Sequence, residues 1–187
     1  MSFDLSVIPN KNILLAVTGG IAAYKSAILV RRLKDAGFQI RVVMTEGAQA
    51  FITPLTFQAL SGNPVHTELL NPEAEAGMGH IELARWADLL LVAPASCNTI
   101  AKFAAGLADD LLSTLYLATK APVWVAPAMN QQMWAAKATQ RNLATLVEDG
   151  VHVIMPDAGA QACGDVGLGR MPEPEDLAHQ VTEYFHK

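Results

Sequence analysis

The chain has 187 residues, of which 51% are hydrophobic and 17% charged, and its net charge is −5. No cluster of Lys and Arg is present, which argues against a nucleic-acid partner held by phosphate neutralisation. The mean hydropathy is +0.25, yet the most apolar run, Leu89–Ala95, follows Asp88 and contains Pro94, far short of the roughly 20 apolar residues of a spanning helix.

The surplus of apolar residues is therefore expected in a large core and between subunits of a homo-oligomer. The N-terminus, Met-Ser-Phe-Asp-Leu-Ser, lacks the charged and apolar regions of a signal peptide. Two cysteines, Cys97 and Cys163, are too few for a disulfide scaffold. They are expected as reduced thiols in the cytoplasm, with no membrane partner.

Along the chain, strands and helices alternate. Asn12–Thr18 (NILLAVT) is a continuous apolar run ending at Gly19-Gly20, and Ile21–Ala36 has helical spacing up to Gly37. Phe38–Thr45 reads as the second strand, and Thr53–Ser61 as a short helix opened by Pro54 and closed by Gly62. His80–Ala87 is a helix and Asp88–Ala93 a strand; Asn98–Ala105 and Asp110–Thr119 are helices parted at Gly106. Pro122–Ala126 is a strand, Gln132–Glu148 one helix closed by Gly150, and Val151–Met155 the last strand. Asp157–Pro174 holds four glycines and two prolines and is expected to be a long loop, followed by a terminal helix, Glu175–Phe185. Strands apolar on both faces and separated by helices predict a doubly wound α/β fold, Rossmann- or flavodoxin-like, with a parallel sheet and a single domain over residues 1–187. In such folds the ligand lies beyond the carboxyl ends of the strands.

Those strand ends carry the candidate chemistry. After the first strand, Thr18-Gly19-Gly20-Ile21 opens a helix, where bare backbone N–H groups suit an anion; a plain tight turn is the alternative. The stretch is neither G-x-G-x-x-G nor a P-loop. Thr45 offers a hydroxyl for phosphate or a helix cap. Ser96-Cys97-Asn98-Thr99 combines small and polar side chains suited to a flat ring, with Ser96 an equally good cap. Asn130, after the fourth strand, could cap the next helix or hold a substrate carboxylate, while Met129, Met133 and Trp134 default to the core. Cys163 stands in a Gly-rich loop, where its thiol could donate a proton; a small buried hydrophobe is the plainer reading. His80 follows Gly77-Met78-Gly79 at a helix start, where the dipole disfavours imidazolium, leaving a neutral base or a hydrogen-bonded structural histidine. The histidines and cysteines show no zinc-ligand spacing.

Taken in order, TGGIAAYK, AFITPLTFQALSG, MGHIELARWAD, APASCNTIAKFAAGLADDLL, PAMNQQMW and QACGDVGLGRM resemble the flavin-containing cysteine decarboxylases over nearly the whole chain. Among these they are most similar to the phosphopantothenoylcysteine decarboxylases, in the form that opens the bifunctional bacterial coenzyme A biosynthesis proteins. The resemblance implies that His80 is the catalytic histidine, that Asn130 contacts the substrate carboxylate and that Cys163 supplies a late proton. It further implies FMN contacts from Gly19, Gly20, Ile21, Thr45, Ser96, Cys97, Asn98, Thr99, Ala128 and Met129. Substrate contacts would come from Asn130, Met133, Ala162 and Cys163, and Cys97 takes no catalytic role.

The implied reaction turns 4'-phosphopantothenoylcysteine into 4'-phosphopantetheine. Oxidising the thiol to a thioaldehyde places a C=S group β to the carboxylate, so that carbon dioxide leaves with its electrons delocalised onto sulfur. Reduced flavin then returns the electrons. Rivals are a lantibiotic-type peptidyl-cysteine decarboxylase, a flavin prenyltransferase, a flavodoxin-like electron carrier and a non-catalytic phosphatase-regulatory paralogue. PAMNQQMW counts against the prenyltransferase, and His80, Asn130 and Cys163 together count against the paralogue. By resemblance the oligomer is built from trimers, up to a dodecamer, and the bifunctional proteins continue into a C-terminal ligase domain beyond the length of this sequence, which leaves an excised domain and a stand-alone decarboxylase both open.

Overall fold

A computed structural model describes residues 10–69 and 79–186. The N-terminal stretch read above and the Gly77-Met78 approach to His80 lie outside the described residues. Six strands form one parallel sheet: β1 (Asn12–Val17), β2 (Gln39–Met44), β3 (Val65–His66), β4 (Leu89–Ala95), β5 (Val123–Pro127) and β6 (His152–Val153). Their order is β3-β2-β1-β4-β5-β6, and every neighbouring pair is parallel. Chain order reverses between β1 and β4, so a crevice opens beyond the carboxyl ends of these two strands. The doubly wound parallel sheet expected from the sequence is thus the observed architecture.

The sheet is apolar on both faces because consecutive side chains point to opposite sides. On one face, Ile13, Leu15 and Val17 pack with Leu29 and Leu33 of α1 (Ala23–Asp35), Phe57 of α3 (Pro54–Ser61) and Leu177 of α9 (Pro174–Phe185). On the other, Leu14 and Ala16 meet Leu83 of α4 (Gly79–Trp86), Phe103 of α5 (Cys97–Ala104), Leu115 of α6 (Leu111–Ala118) and Leu146 of α8 (Lys137–Glu148). A fully buried Leu or Val of this kind contributes roughly 1.5–3 kcal/mol. Both layers therefore hold the strand ends in fixed positions. No helix among the described residues is long and apolar enough to cross a membrane.

Four features depart from the sequence reading. The expected helix Gln132–Glu148 is two: α7 (Gln131–Ala135) and α8, parted at Ala136, whose φ of −60° and ψ of 133° are extended. Gln140 Nε2 donates to the Trp134 carbonyl at 2.6 Å, replacing the backbone partner that a continuous helix would supply, while Trp134 itself is buried against the sheet. The expected loop Asp157–Pro174 contains an antiparallel hairpin, β7 (Asp157–Ala160) and β8 (Val166–Arg170), and α9 begins at Pro174. A short α2 (Glu46–Gln49) and the two-residue β3 had no counterpart in the sequence reading. The last strand of the sheet shortens from Val151–Met155 to His152–Val153.

Candidate active site

A cavity of about 500 Å³ lies beyond the carboxyl ends of β1, β4 and β5 and is closed on one side by the β7–β8 hairpin. That volume is within the range of small-molecule and cofactor sites. Four stretches of chain wall it: Gly19–Ala22 with Tyr24 and Lys25; Ser96 and Cys97; Ala128–Asn130 with Met133; and the hairpin residues Ala160–Cys163 and Gly169–Met171.

The sheet side of the cavity is rigid. Thr18 is fully buried; its Oγ1 donates to the Pro94 carbonyl at 2.7 Å and accepts from Ser96 N–H at 2.9 Å, locking the β1 and β4 ends together. A Cβ on Gly19 would stand 3.0 Å from the Gly47 carbonyl carbon, so the turn after β1 packs backbone to backbone on α2. Gly20, by contrast, faces open space where its side chain would be, leaving backbone that a ligand can approach. Helix α1 starts there with Ala22 at the N-cap and no side-chain cap. Lys25 is buried; its Nζ donates to Met171 O at 2.9 Å and Glu173 Oε1 at 2.7 Å, tying α1 to the segment after β8.

The hairpin docks through glycines and one glutamine. Met129 N–H donates to Gly169 O at 2.9 Å. Gly169 has φ +133°, and a side-chain carbon there would overlap the Met129 carbonyl oxygen. Gln161 Oε1 accepts from Gln131 N–H at 3.0 Å, and its Nε2 donates to Leu168 O at 3.1 Å. The turn closes with Gln161 N–H donating to Asp165 O at 2.8 Å and carries Cys163 exposed at its tip.

Asn130 does both things its position allowed. Its Oδ1 accepts from Gln132 N–H at 2.8 Å and so caps α7. Its Nδ2 points into the hairpin turn, donating to Asp165 Oδ2 at 2.9 Å and lying 3.3 Å from Cys163 Sγ and 3.4 Å from Gln161 Oε1. The hydrogen bond from Asn130, and secondly that from Cys163, holds the Asp165 carboxyl below the usual carboxylate range. The other thiol, Cys97, is half-buried and packs against Met129 Sδ at 3.1 Å and Thr139 Oγ1 at 3.6 Å.

Of the residues singled out in the sequence, Gly19, Gly20, Ile21, Ser96, Cys97, Ala128, Met129, Asn130, Met133, Ala162 and Cys163 line this one cavity. Thr45, Asn98, Thr99 and His80 do not. Thr45 caps α2, accepting from Ala48 N–H at 3.3 Å, and Ser96 caps α5 through Thr99 N–H at 3.2 Å. Thr99 is buried under α5, its Oγ1 3.2 Å from Ser96 Oγ. His80 sits in the first turn of α4, with Nδ1 buried and unpartnered among the described residues. Sequence reasoning assigned no role to Tyr24, Lys25, Gln161, Arg170 and Met171, which also line the cavity. These five fall inside TGGIAAYK or QACGDVGLGRM, as do Ala22 and Gly169, so the motifs carried most of the signal; Ala160 of the cavity wall lies outside both.

The chain matches the family described as Flavoprotein over residues 4–186. It belongs to the flavoprotein family. It is 58% identical over 181 residues to the coenzyme A biosynthesis bifunctional protein CoaBC of Vibrio parahaemolyticus, covering 97% of this chain and 45% of that protein. The chain therefore spans about half the length of the curated relatives it matches. Among solved structures it is similar to a variant PPC decarboxylase complexed with pantothenoylaminoethenethiol, with TM-score 0.83 and 34% identity over 95% of this chain and 100% of that one. The FMN-dependent cysteine decarboxylase SpaF matches with TM-score 0.82 and 30% identity, covering 97% of this chain and 100% of the other.

Proposed function

We propose that this flavoprotein chain, residues 1–187, is one decarboxylase domain. It would bind FMN and convert 4'-phosphopantothenoylcysteine to 4'-phosphopantetheine in coenzyme A biosynthesis. The observation that carries the reading is the meeting of the Asn130 amide and the Cys163 thiol at 3.3 Å, on the cavity wall shared with the double-glycine turn. The 58% identity to the bifunctional coenzyme A protein and the likeness to PPC decarboxylase support the substrate. The relatives' additional length is consistent with a second, ligase domain in those bifunctional proteins.

The residues present fit FMN. Gly20 leaves its backbone open at the uncapped start of α1, which suits a phosphate, and Gly19 and Ile21 flank it. Ala128, Met129 and Ile21 offer small or apolar surfaces for a ring. The chemistry such a cofactor supplies is reversible two-electron oxidation of the substrate thiol. The chain's own residues orient and protonate. Asn130 holds the carboxylate through Nδ2, since its Oδ1 is committed to capping α7. Cys163 carries a proton at Sγ on an exposed turn. The hairpin covers the site and limits water.

His80 is the proposed base on the resemblance, and it lies outside the cavity lining of its own chain. The base role then requires a neighbouring subunit to deliver it. Ile21 (62% exposed), Tyr24 (56%) and Met133 (48%) leave apolar surface at the cavity that suits a homo-oligomer contact. Co-expressed His80→Asn and Cys163→Ser chains test this: mixed oligomers should regain roughly a quarter of wild-type phosphopantetheine formation, because about one contact in four joins two intact halves. Mixed oligomers no better than the separate variants would return His80 to its own chain.

The defining experiment is a visible spectrum of the purified protein followed by mass spectrometry after adding phosphopantothenoylcysteine. A yellow protein that releases carbon dioxide and yields phosphopantetheine is expected. A protein that refuses added FMN, or leaves the substrate unchanged, contradicts the proposal.

A further inference from the structure

The Asn130 amide already holds a carboxylate of its own chain. Its orientation is fixed, because Oδ1 accepts from Gln132 N–H at 2.8 Å and only the NH₂ group can face the cavity. Of the contacts that group makes, Asp165 Oδ2 at 2.9 Å is the shortest. An amide NH₂ has two hydrogens, so Asp165, Cys163 and Gln161 leave none for a further acceptor. No Lys, Arg or His among the described residues pairs with Asp165. Its stabilisation in the turn therefore comes from the hydrogen bonds of Asn130 and its neighbours. Asp165 is also exposed, on a five-residue turn between β7 and β8, where withdrawal costs no buried apolar contact.

We propose that Asp165 is an internal competitor for the substrate carboxylate: it occupies the carboxylate position on Asn130 and yields it only to a ligand that brings a carboxylate of its own. The exchange replaces one charge-assisted hydrogen bond with another. Two carboxylates cannot share the amide, because like charges at that separation repel. A neutral ligand cannot replace the lost interaction and leaves Asp165 in place. Once the substrate carboxylate has departed as carbon dioxide, nothing competes with Asp165 for the amide, and its return favours product release. This inference rests on the reading of Asn130 as the carboxylate holder.

The test uses binding, because Asp165 also touches the Cys163 thiol and would disturb turnover through it. Two non-oxidisable probes suffice: phosphopantothenoylserine, which has a hydroxyl for the thiol and keeps the carboxylate, and its ethanolamine counterpart, which lacks it. Both are titrated calorimetrically into the flavin-loaded full chain. In Asp165→Asn and Asp165→Ala the acid should bind roughly three- to tenfold tighter, with the ethanolamine probe changed less than about twofold. Equal changes for both probes, or weaker binding of the acid, would make Asp165 a support of the turn and overturn the proposal. Asn130→Ala separates this from the underlying reading. If it abolishes the preference for the acid while the Asp165 variants leave that preference unchanged, only the Asp165 proposal fails. If it leaves the preference intact, both fail.

Discussion

The two sides of the cavity are built on opposite principles. On the sheet side, the ends of β1 and β4 are anchored by side chains buried in two apolar layers and are cross-linked by a fully buried Thr18. On the hairpin side, Val166 and Leu168 of β8 are exposed, and the attachment is a backbone bond from Met129, the side chain of Gln161, the Asn130 amide on the turn and the glycine surface of β8. Burial makes the first side part of the global fold. Polar contacts worth about 1 kcal/mol each make the second a wall that can open without unfolding anything. The cradle proposed for the cofactor is therefore on the fixed side, and the thiol and carboxylate proposed to move during a cycle are on the other.

The sharpest way to break that contrast is Gly169→Val. A side chain at φ +133° against the Met129 carbonyl prevents docking, and turnover should fall about a hundredfold or more, as displaced catalytic groups cause. The melting temperature should stay within a few degrees, since the hairpin lies apart from the packed layers; a large drop would make the hairpin integral to the fold. Thr18→Val should do the reverse. It leaves the Pro94 carbonyl and Ser96 N–H unpaired, which should cost about 2 kcal/mol in denaturant unfolding, with hairpin contacts intact; unchanged stability would show the clamp to be dispensable. The smallest effect is expected from Gln161→Ala, which loosens the hairpin without blocking it. KM should rise roughly fivefold with kcat changed less, and an unchanged KM would remove Gln161 from the docking contacts.

The same contrast explains what could be read from the sequence. Runs such as NILLAVT are apolar on both faces, short, closed by glycines and separated by helices, which together indicate buried parallel strands, so the fixed side was legible almost to the residue. The hairpin was not. DAGA and VGLGR show no alternation of apolar and polar residues, because β8 presents glycine to its neighbours instead of a packed face. The helix break at Ala136 was equally silent, with no glycine or proline there and the freed Trp134 carbonyl met by a side chain, Gln140, instead of a backbone N–H. Within the site, neighbours in sequence proved not to be neighbours in space. Ser96 and Cys97 reach the cavity, but helical rotation of about 100° per residue carries Thr99 beneath α5. Asn130 and Cys163, 33 residues apart, lie 3.3 Å from each other, while His80 is not among the residues lining their cavity.

Cys163→Ser offers the most direct measurement of whether this cavity performs the chemistry. The variant should keep its flavin, release carbon dioxide from phosphopantothenoylcysteine and form an oxidised enethiol product detectable by mass spectrometry, with the flavin left reduced until dioxygen in the buffer reoxidises it, because the thiol proposed to supply the last proton is gone. A normal yield of phosphopantetheine from that variant would contradict the account.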